Sequence, residues 1–318
     1  MSIKTLFKLW DEFWFTETSP LAVAVFRILM GIIMILFVLL LTQDMLVWFG
    51  QYGLISNQTE RNFAQVVGLN VLNLARDNDT FLLAFFVVFF AASLCMTIGY
   101  KTRLSVLVVF LCLNSLYHRN AFLFNSGDTY MRVMSFWLFF SASGNALSID
   151  HLLKLKSKRA PESPEEAEKF NYKCVSKWPV RLLQLQLALV YFHTFVAKFW
   201  GDTWVNGTSV YYSSRIEDLV RVKLPYVFDN LWTCQLLTWG TLVIELALFT
   251  LIWVKEFRYY VIALAIVFHL TIDLHMNIPL FEWIMMFSYV LFIDNQDLQK
   301  GLLKIKQKFP ALFPVLKD

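Results

Sequence analysis

The chain has 318 residues and a formal net charge of +4, and it is 58% hydrophobic, 17% aromatic and only 16% charged. A soluble domain carries about a quarter charged residues, so this composition excludes a soluble protein. The basic residues flank apolar runs and no nucleic-acid motif accompanies them, so we expect no nucleic-acid partner. The apolar stretches are long and continuous, which disfavours a β-barrel and predicts an all-α fold: a polytopic membrane helix bundle in a lipid bilayer.

The first element is an amphipathic segment, residues 1–19. Its apolar residues recur at helical spacing and its charged residues lie on other faces, which is typical of a helix in the membrane interface. About eight apolar runs follow, each a candidate transmembrane helix. They lie at residues 21–42, 81–99, 104–118, 130–143, 179–200, 232–254, 258–276 and 280–294. Several are shorter than the roughly 20 residues that cross hydrocarbon squarely, so we expect these to stop early or to lean on neighbours.

The remaining segments are loops and a tail of one domain that spans residues 1–318. Residues 145–178 contain two prolines and mixed charge, which predicts a solvated loop, and residues 295–318 form the tail. The termini and this loop share a side that carries nineteen Lys and Arg residues, against six on the other side. By the positive-inside rule, we expect both termini and the loop to be cytoplasmic, with the protein in a bacterial inner membrane.

The four cysteines lack the CxxC spacing of zinc and redox sites: Cys95, Cys112, Cys174 and Cys234. In the expected topology, Cys174 faces the reducing cytoplasm. We therefore expect neither a disulfide nor a bound metal.

Ionisable residues inside apolar runs are functional candidates, because an unpaired charge in hydrocarbon is costly. Arg27 lies in the first run and Glu245 in the middle of the sixth. These two could pair across helices and fix the bundle, or they could couple to a functional site. Other polar residues gather at the outward ends of three stretches: Asn125 and Asp128; His193, Lys198 and Trp204; His275, Asn277 and Glu282. Their convergence on one face predicts a shared chamber beneath the outer headgroups.

Lys198 stands out because four aromatic residues lie close to it in sequence: Phe192, Phe195, Phe199 and Trp200. A desolvated amine in such surroundings is a candidate general base. For the other candidates a structural interpretation stays open. An outward cation can snorkel, a membrane histidine can bond a neighbouring helix, and Trp204 fits an aromatic belt.

Five stretches, in the same order over about residues 20–295, carry a resemblance to a known family. They are LAVAVFRILMGIIMIL (21–36), IGYKTRLSVLVVFL (98–111), VYFHTFVAKFWGDTWVNGTSVYY (190–212), WGTLVIELALF (239–249) and HMNIPLFEWIMMFSYV (275–290). The chain resembles the HTTM (horizontally transferred transmembrane domain) family, and within it the membrane half of vitamin K-dependent γ-glutamyl carboxylases. The resemblance implies a reduced quinone, vitamin K-like or menaquinone-like, as cofactor. It also implies an active site open to the extracytoplasmic side.

The resemblance implies roles for individual residues. Lys198 matches the base that deprotonates reduced vitamin K, which then reacts with oxygen so that a carbon-bound proton of a second substrate can be removed. His275 and Asn277 match a late histidine and asparagine, and Glu245 matches the acid of the sixth span. The candidate catalytic residues are thus Lys198, His275 and Asp128, and the candidate cofactor-binding residues are Asn125, His193, Trp204, Asn277 and Glu282.

Two departures separate the chain from a carboxylase. Where that enzyme has Asn-Asn-His, residues 125–128 read Asn-Ser-Gly-Asp, so Asp128 takes the place of an assisting histidine. The chain also ends at Asp318, so we expect no lumenal substrate-docking domain. Substrate would then be held by a partner subunit, or would be small.

Two hypotheses of different classes follow. The first is a quinol-dependent enzyme, with lyase or oxygenase chemistry, that modifies a peptide or a small molecule at the extracytoplasmic face with Lys198 as base. The second is a non-catalytic protein that binds lipid or quinone, or that serves as a partner in peptide maturation. A transporter is a third and weaker hypothesis, because no pair of interrupted helices occurs in two corresponding halves.

Overall fold

The computed structural model describes residues 2–56, 59, 68–75, 77–157 and 172–308, and this part of the chain is a helical bundle, as the composition predicts. The helices are α1 (Ile3–Trp14), α2 (Leu21–Thr42), α3 (Met45–Phe49), α4 (Asp79–Ile98), α5 (Thr102–Arg119), α6 (Ser126–Phe140), α7 (Ile149–Ser157), α8 (Trp178–Phe199), α9 (Asp202–Val205), α10 (Ser209–Ser213), α11 (Pro225–Phe228), α12 (Leu231–Thr250), α13 (Lys255–His275), α14 (Phe281–Ser288) and α15 (Asn295–Lys308). Short 3₁₀ segments lie at Val71–Ala75, Ala121–Leu123, Ser143–Asn145, Leu251–Trp253 and Tyr289–Phe292. Strands β1 (Glu17–Thr18) and β2 (Val175–Ser176) pair in antiparallel register.

Each apolar run predicted to cross the membrane is helical, but the helices differ in length. Within the described ranges, 5 helices are long and apolar enough to span a bilayer: α2, α4, α8, α12 with its 3₁₀ extension, and α13. The last run is shorter, because α14 and its 3₁₀ extension cover only Phe281–Phe292. The prediction of helices at these runs is confirmed, and fewer than eight of them meet the length and hydropathy of a full span.

Local chemistry sets where the helices begin and end, as α4 shows. The Asn78 side chain accepts a hydrogen bond of 3.0 Å from the Phe81 N–H, which satisfies a free donor at the start of the helix. At the other end, Gly99 adopts a left-handed φ of 71°, and the Tyr100 N–H donates to the Cys95 carbonyl at 2.9 Å. The chain therefore turns directly into α5.

Helix α2 forms the centre of the bundle and packs on α4 and on α14. Its Phe26, Met30 and Met34 side chains are fully buried. Gly31 lets α2 and α4 approach closely, because a Cβ at this position would lie 2.3 Å from Thr97 Oγ1. The other helices are thus arranged around an apolar wall that α2 provides.

Arg27 is fully buried on α2, but it does not pair with Glu245. Its guanidinium donates to the backbone carbonyls of Ser143 at 2.7 Å and Leu147 at 2.5 Å. These acceptors belong to the turn that follows α6. The structure therefore excludes the pairing of Arg27 with Glu245 that the sequence left open, and Arg27 instead fastens this turn to α2.

The amphipathic segment is helical over α1, and none of its residues is buried against the bundle. This arrangement fits an interfacial helix whose apolar face meets lipid. The Arg181 guanidinium on α8 donates to the Phe13 carbonyl at 3.1 Å and lies over the Phe13 ring, 4.3 Å from its centroid. Together with the β1–β2 pair, this contact holds α1 beside the start of α8.

The predicted loop and tail both contain helix. Within residues 145–178, α7 follows α6, and residues 158–171 lie outside the described part of the chain. The predicted tail begins with α15, and residues 309–318 also lie outside the described part.

Candidate functional site

Lys198 and Glu245 form an ion pair between α8 and α12. The Lys198 amine donates a hydrogen bond to Glu245 Oε1. The two side chains are 24% and 6% exposed, respectively. Because removing a charge from water is costly, contact with the opposite charge explains how both residues are accommodated in the bundle.

This pair lies deep along α12. Glu245 is 14 residues beyond Leu231, the first residue of α12, which corresponds to about 21 Å along a helix. Lys198 is in the last turn of α8, so a simple helical hairpin would place it level with the start of α12. The contact with Glu245 therefore shows that α8 ends beside the second half of α12 and not beside its start. The expectation that Lys198 lies at the outer interface stays a prediction.

The space above Lys198 is filled by residues 201–213, here called the cover, which contains α9 and α10. The Val210 N–H donates to Thr238 Oγ1 at 3.2 Å, and the Trp239 indole N–H donates to the Val205 carbonyl at 3.2 Å. Gly207 has a φ of 79°, and a Cβ there would lie 2.7 Å from Gln235 Cγ. The cover therefore packs along the first half of α12 and lies between the ion pair and the end of the bundle.

Trp204 belongs to the cover and contacts Lys198. The Lys198 amine lies 5.1 Å from the centroid of the Trp204 ring, within the range of a cation–π interaction. Phe199 and Trp200, next to Lys198 on α8, are exposed on the surface of the bundle. The amine thus has a carboxylate on one side, an indole face on another, and exposed aromatic residues nearby.

A second polar cluster lies deeper and was missed by the sequence analysis, except for Glu282. His269 of α13 bonds Glu282 of α14 through Nδ1, and its Nε2 lies 2.8 Å from the Tyr191 hydroxyl. The Tyr191 hydroxyl lies 2.6 Å from the Tyr289 hydroxyl. His269 was detectable in principle, because it is an ionisable residue inside the apolar run of α13.

His275 and Asn277 bind the loop before α11. His275 Nδ1 lies 2.8 Å from the Val222 carbonyl, and its ring stacks on Phe228 with centroids 4.1 Å apart. The Asn277 N–H donates to the Leu219 carbonyl at 2.6 Å. Both residues thus join the end of α13 to this loop.

Asn125 and Asp128 form a capping box at the start of α6. The Asn125 side chain accepts hydrogen bonds from the N–H groups of Gly127 and Asp128, and Asp128 Oδ2 accepts from the Asn125 N–H at 2.8 Å. The cap packs against α14, because a Cβ on Gly127 would lie 2.7 Å from Phe281 Cδ2. Asp128 therefore has a structural task at the position where a catalytic role was predicted.

The predicted site residues thus fall into separate groups. Among the described residues, no hydrogen bond or ion pair joins Lys198 to His275 or to Asp128. His193 is exposed on α8, outside the polar contacts of the bundle. In the described ranges no group of three His, Cys, Asp or Glu side chains could hold a metal ion. The structure therefore unites Lys198, Glu245 and Trp204 from the predicted set.

Comparison with known families shows that the HTTM domain matches residues 15–296. The chain belongs to the HTTM domain family. The match includes both polar clusters, whereas all of α1 precedes it and most of α15 follows it. The ion pair and the His269 cluster are therefore features of the HTTM domain of this chain.

Among curated proteins, the chain is similar to the uncharacterized protein YitO of Bacillus subtilis (strain 168), with 28% identity over 93 residues. The matched region covers 27% of this chain and 29% of YitO, so it spans less than a third of that relative. No solved structure matches the chain.

Proposed function

We propose that this HTTM protein is a membrane enzyme that uses a reduced quinone to modify a peptide or a small molecule at the extracytoplasmic face, with Lys198 as the base. The observation that carries the proposal is the ion pair of Lys198 and Glu245 beneath the cover. A reduced quinone supplies two electrons and an acidic hydroxyl when it is bound. The protein must then accept the hydroxyl proton and hold the ring.

The residues around Lys198 suit these two tasks. An amine and a carboxylate in contact can pass a proton between them, so Glu245 can take a proton from Lys198 and leave the amine free to accept another. Glu245 is the more buried partner, so a ligand reaches Lys198 first. The Trp204 face offers a flat surface for an aromatic ring, and the exposed Phe199 and Trp200 provide an apolar approach from lipid.

The cover shields Lys198 from water. It packs on α12 through Val205, Gly207 and Val210 and lies between Lys198 and the end of the bundle. Excluding water from this region strengthens the electrostatic contacts of Lys198 and protects reactive species from quenching. A substrate outside the membrane would reach Lys198 past the cover.

A non-catalytic binding or maturation partner is the second candidate function, and the positions of Asp128 and His275 favour it. The Asp128 carboxylate completes a helix cap and His275 Nδ1 bonds a loop carbonyl. Two of the three candidate catalytic residues thus have structural partners. In this function, Lys198 and Glu245 brace two helices, and Lys198→Arg preserves the brace.

Quinol oxidation in lipid nanodiscs distinguishes the two functions. The assay supplies reduced menaquinone and dioxygen, and it measures the oxidation rate above that of protein-free discs. The decisive variant is Lys198→Met/Glu245→Gln, which leaves no charge unpaired. For an enzyme we expect a rate at least about 100-fold lower, and a loss also in Lys198→Arg, because a guanidinium stays protonated.

Lys223→Met is the matched control, since Lys223 is an exposed lysine in the loop before α11. It should oxidise quinol at the wild-type rate. A wild-type rate equal to that of protein-free discs, or a double variant as active as wild type, would contradict the enzyme and leave the binding partner as the function.

A further inference from the structure

Four side chains from α8, α13, α14 and the 3₁₀ segment after α14 form a continuous series of hydrogen bonds inside the bundle. Glu282 bonds His269, His269 bonds Tyr191, and Tyr191 bonds Tyr289. His269 and Glu282 are only 2% and 1% exposed, and both tyrosines are also buried. These four hydrogen-bonded side chains, here called the relay, lie in the interior of the bundle. Apolar side chains could be buried there at a lower cost in desolvation free energy.

Stability alone gives little reason for the relay. Buried ionic pairs can often be replaced by apolar residues of similar volume without loss of stability. Each relay group can, however, exchange a proton: imidazole carries one on either nitrogen, and a phenol can donate and accept. A proton that reaches Tyr191 can thus move to His269 and on to Glu282 by successive shifts along existing hydrogen bonds.

The relay is connected to the Lys198–Glu245 pair through α8. Tyr191, Thr194 and Lys198 are spaced by three and four residues, so they lie on one face of this helix. The Thr194 hydroxyl lies beside Glu245 and donates to the Tyr191 carbonyl at 3.1 Å. Glu245 also interacts electrostatically with His269. The two polar clusters are therefore neighbours within one interior region.

We propose that the relay withdraws the proton from Lys198, so that His269 and Glu282 are proton-transfer residues of the site. This inference rests on the proposed function. The Lys198 ammonium gives a proton to Glu245, which faces Thr194 and His269. A proton enters the relay at the Tyr191 hydroxyl, whose own proton moves to His269 Nε2. His269 releases its Nδ1 proton to Glu282. Each intermediate group gains one proton and loses one, Glu282 ends protonated, and no electron moves.

Other titratable groups lie next to the relay and affect the protonation of its members. Tyr130 of α6 interacts with both Tyr191 and Tyr289, and its buried hydroxyl lies beside the Ser288 side chain. Glu282 Oε1 is buried without a hydrogen-bond partner in the described part of the chain. Tyr289 donates to or accepts from Tyr191 and orients its hydroxyl. The relay thus holds a free acceptor atom at its Glu282 end.

The test follows the carboxyl groups of Glu245 and Glu282 by carbon-13 NMR of the glutamate-labelled full chain in nanodiscs over a pH series. Glu→Gln variants assign the two signals. The relay predicts coupled titration, so Tyr191→Phe shifts the midpoint of Glu245 by about tenfold or more in proton concentration. His269→Gln has the same effect. Tyr260→Phe, at an exposed position on α13, leaves it unchanged.

An unchanged Glu245 curve in Tyr191→Phe would overturn the relay. Should His269→Gln fail to fold, Tyr191→Phe decides alone, because it removes one oxygen atom. The rate of quinol oxidation adds a second readout: Tyr191→Phe should lower kcat with little change in KM and increase the solvent isotope effect. Coupled titration without quinol oxidation would refute the proposed function and leave the relay standing, whereas oxidation without coupling would refute the relay alone.

Discussion

At the scale of single residues, the structure explains why an apolar run contains a lysine. Lys198 is accommodated by the Glu245 carboxylate and the Trp204 ring. The buried charge of Arg27 is accommodated differently, because its guanidinium donates to backbone carbonyls of the turn after α6. Both charges are therefore satisfied within the protein, Lys198 by a carboxylate and Arg27 by backbone carbonyls.

The first prediction concerns the contribution of the Lys198–Glu245 ion pair to the free energy of unfolding. Lys198→Met should lower the free energy of unfolding by about 3–5 kcal/mol, because it leaves a buried carboxylate unpaired. Glu245→Gln should have a smaller but similar effect, and the double variant should be more stable than the sum of both losses predicts. Thermal unfolding in detergent, followed by intrinsic fluorescence, measures these values. Strictly additive losses would show that the two side chains do not interact.

At the scale of elements, the offset between α8 and α12 creates the site. The apolar runs predict both helices, because hydrophobic length is a local property of the sequence. The offset depends on contacts of the cover with Gln235, Thr238 and Trp239, which no periodicity reveals. The same limit explains why the contact between Glu282 and His269 was not predicted, although both are ionisable residues in or beside apolar runs.

The second prediction tests the fit of the cover. Gly207→Ala should destabilise the protein by about 1–3 kcal/mol, because φ is positive there and the Cβ would meet Gln235. Gly240→Ala is the matched control on α12, where a Cβ meets nothing within 4 Å. That change should be neutral or stabilising by up to about 1 kcal/mol, since glycine disfavours helix. Equal thermal midpoints for both variants would argue against a packed cover.

The third prediction concerns Asp150 of α7, whose carboxylate accepts hydrogen bonds from Lys101 and Thr102 at the start of α5. Burial alone would raise the pKa of Asp150, but hydrogen bonds from Thr102 and the Lys101 N–H outweigh it and lower the pKa from its ordinary value of 3.8. A lowered pKa stabilises the fold above pH 3.8, and this contribution disappears as the pH falls through the folded-state value.

Asp150→Asn should therefore lower the free energy of unfolding at neutral pH, because a neutral amide oxygen replaces a charged acceptor of these hydrogen bonds. Its unfolding midpoint should also depend less on pH in the acid range than that of wild type. Asp218→Asn, at an exposed loop position, serves as control. Parallel acid curves for wild type and Asp150→Asn would show that the Asp150 carboxylate does not contribute.

At the scale of the whole molecule, the sequence predicted much of the architecture and little of the site geometry. Composition and apolar runs identified an all-α membrane bundle, and the five matching stretches identified the family that the HTTM match over residues 15–296 shows. The chamber expected to join Lys198, Asp128 and His275 depended on how distant loops pack. In the structure, Asp128 caps the start of α6, and His275 bonds the loop before α11.

The fourth prediction concerns the orientation in the membrane. Cys174 is exposed, whereas Cys112 and Cys234 are buried, so a membrane-impermeant maleimide should label mainly Cys174. Because the basic residues predict a cytoplasmic position for Cys174, it should react in inside-out vesicles and not in right-side-out vesicles. In a Cys174→Ser background, Asp218→Cys should give the reverse result. The opposite pattern would invert the predicted topology.

The contact between the Lys198 amine and the Glu245 carboxylate defines the site, and rotational-echo NMR measures it directly. The protein carries nitrogen-15 lysine and carbon-13 glutamate in nanodiscs, and dephasing of the Glu245 carboxyl signal reports a nearby amine. We predict strong dephasing that is lost in Lys198→Met and kept in Lys8→Met, whose lysine lies in α1. A Glu245 signal without dephasing in wild type would show that the amine and the carboxylate are not in contact.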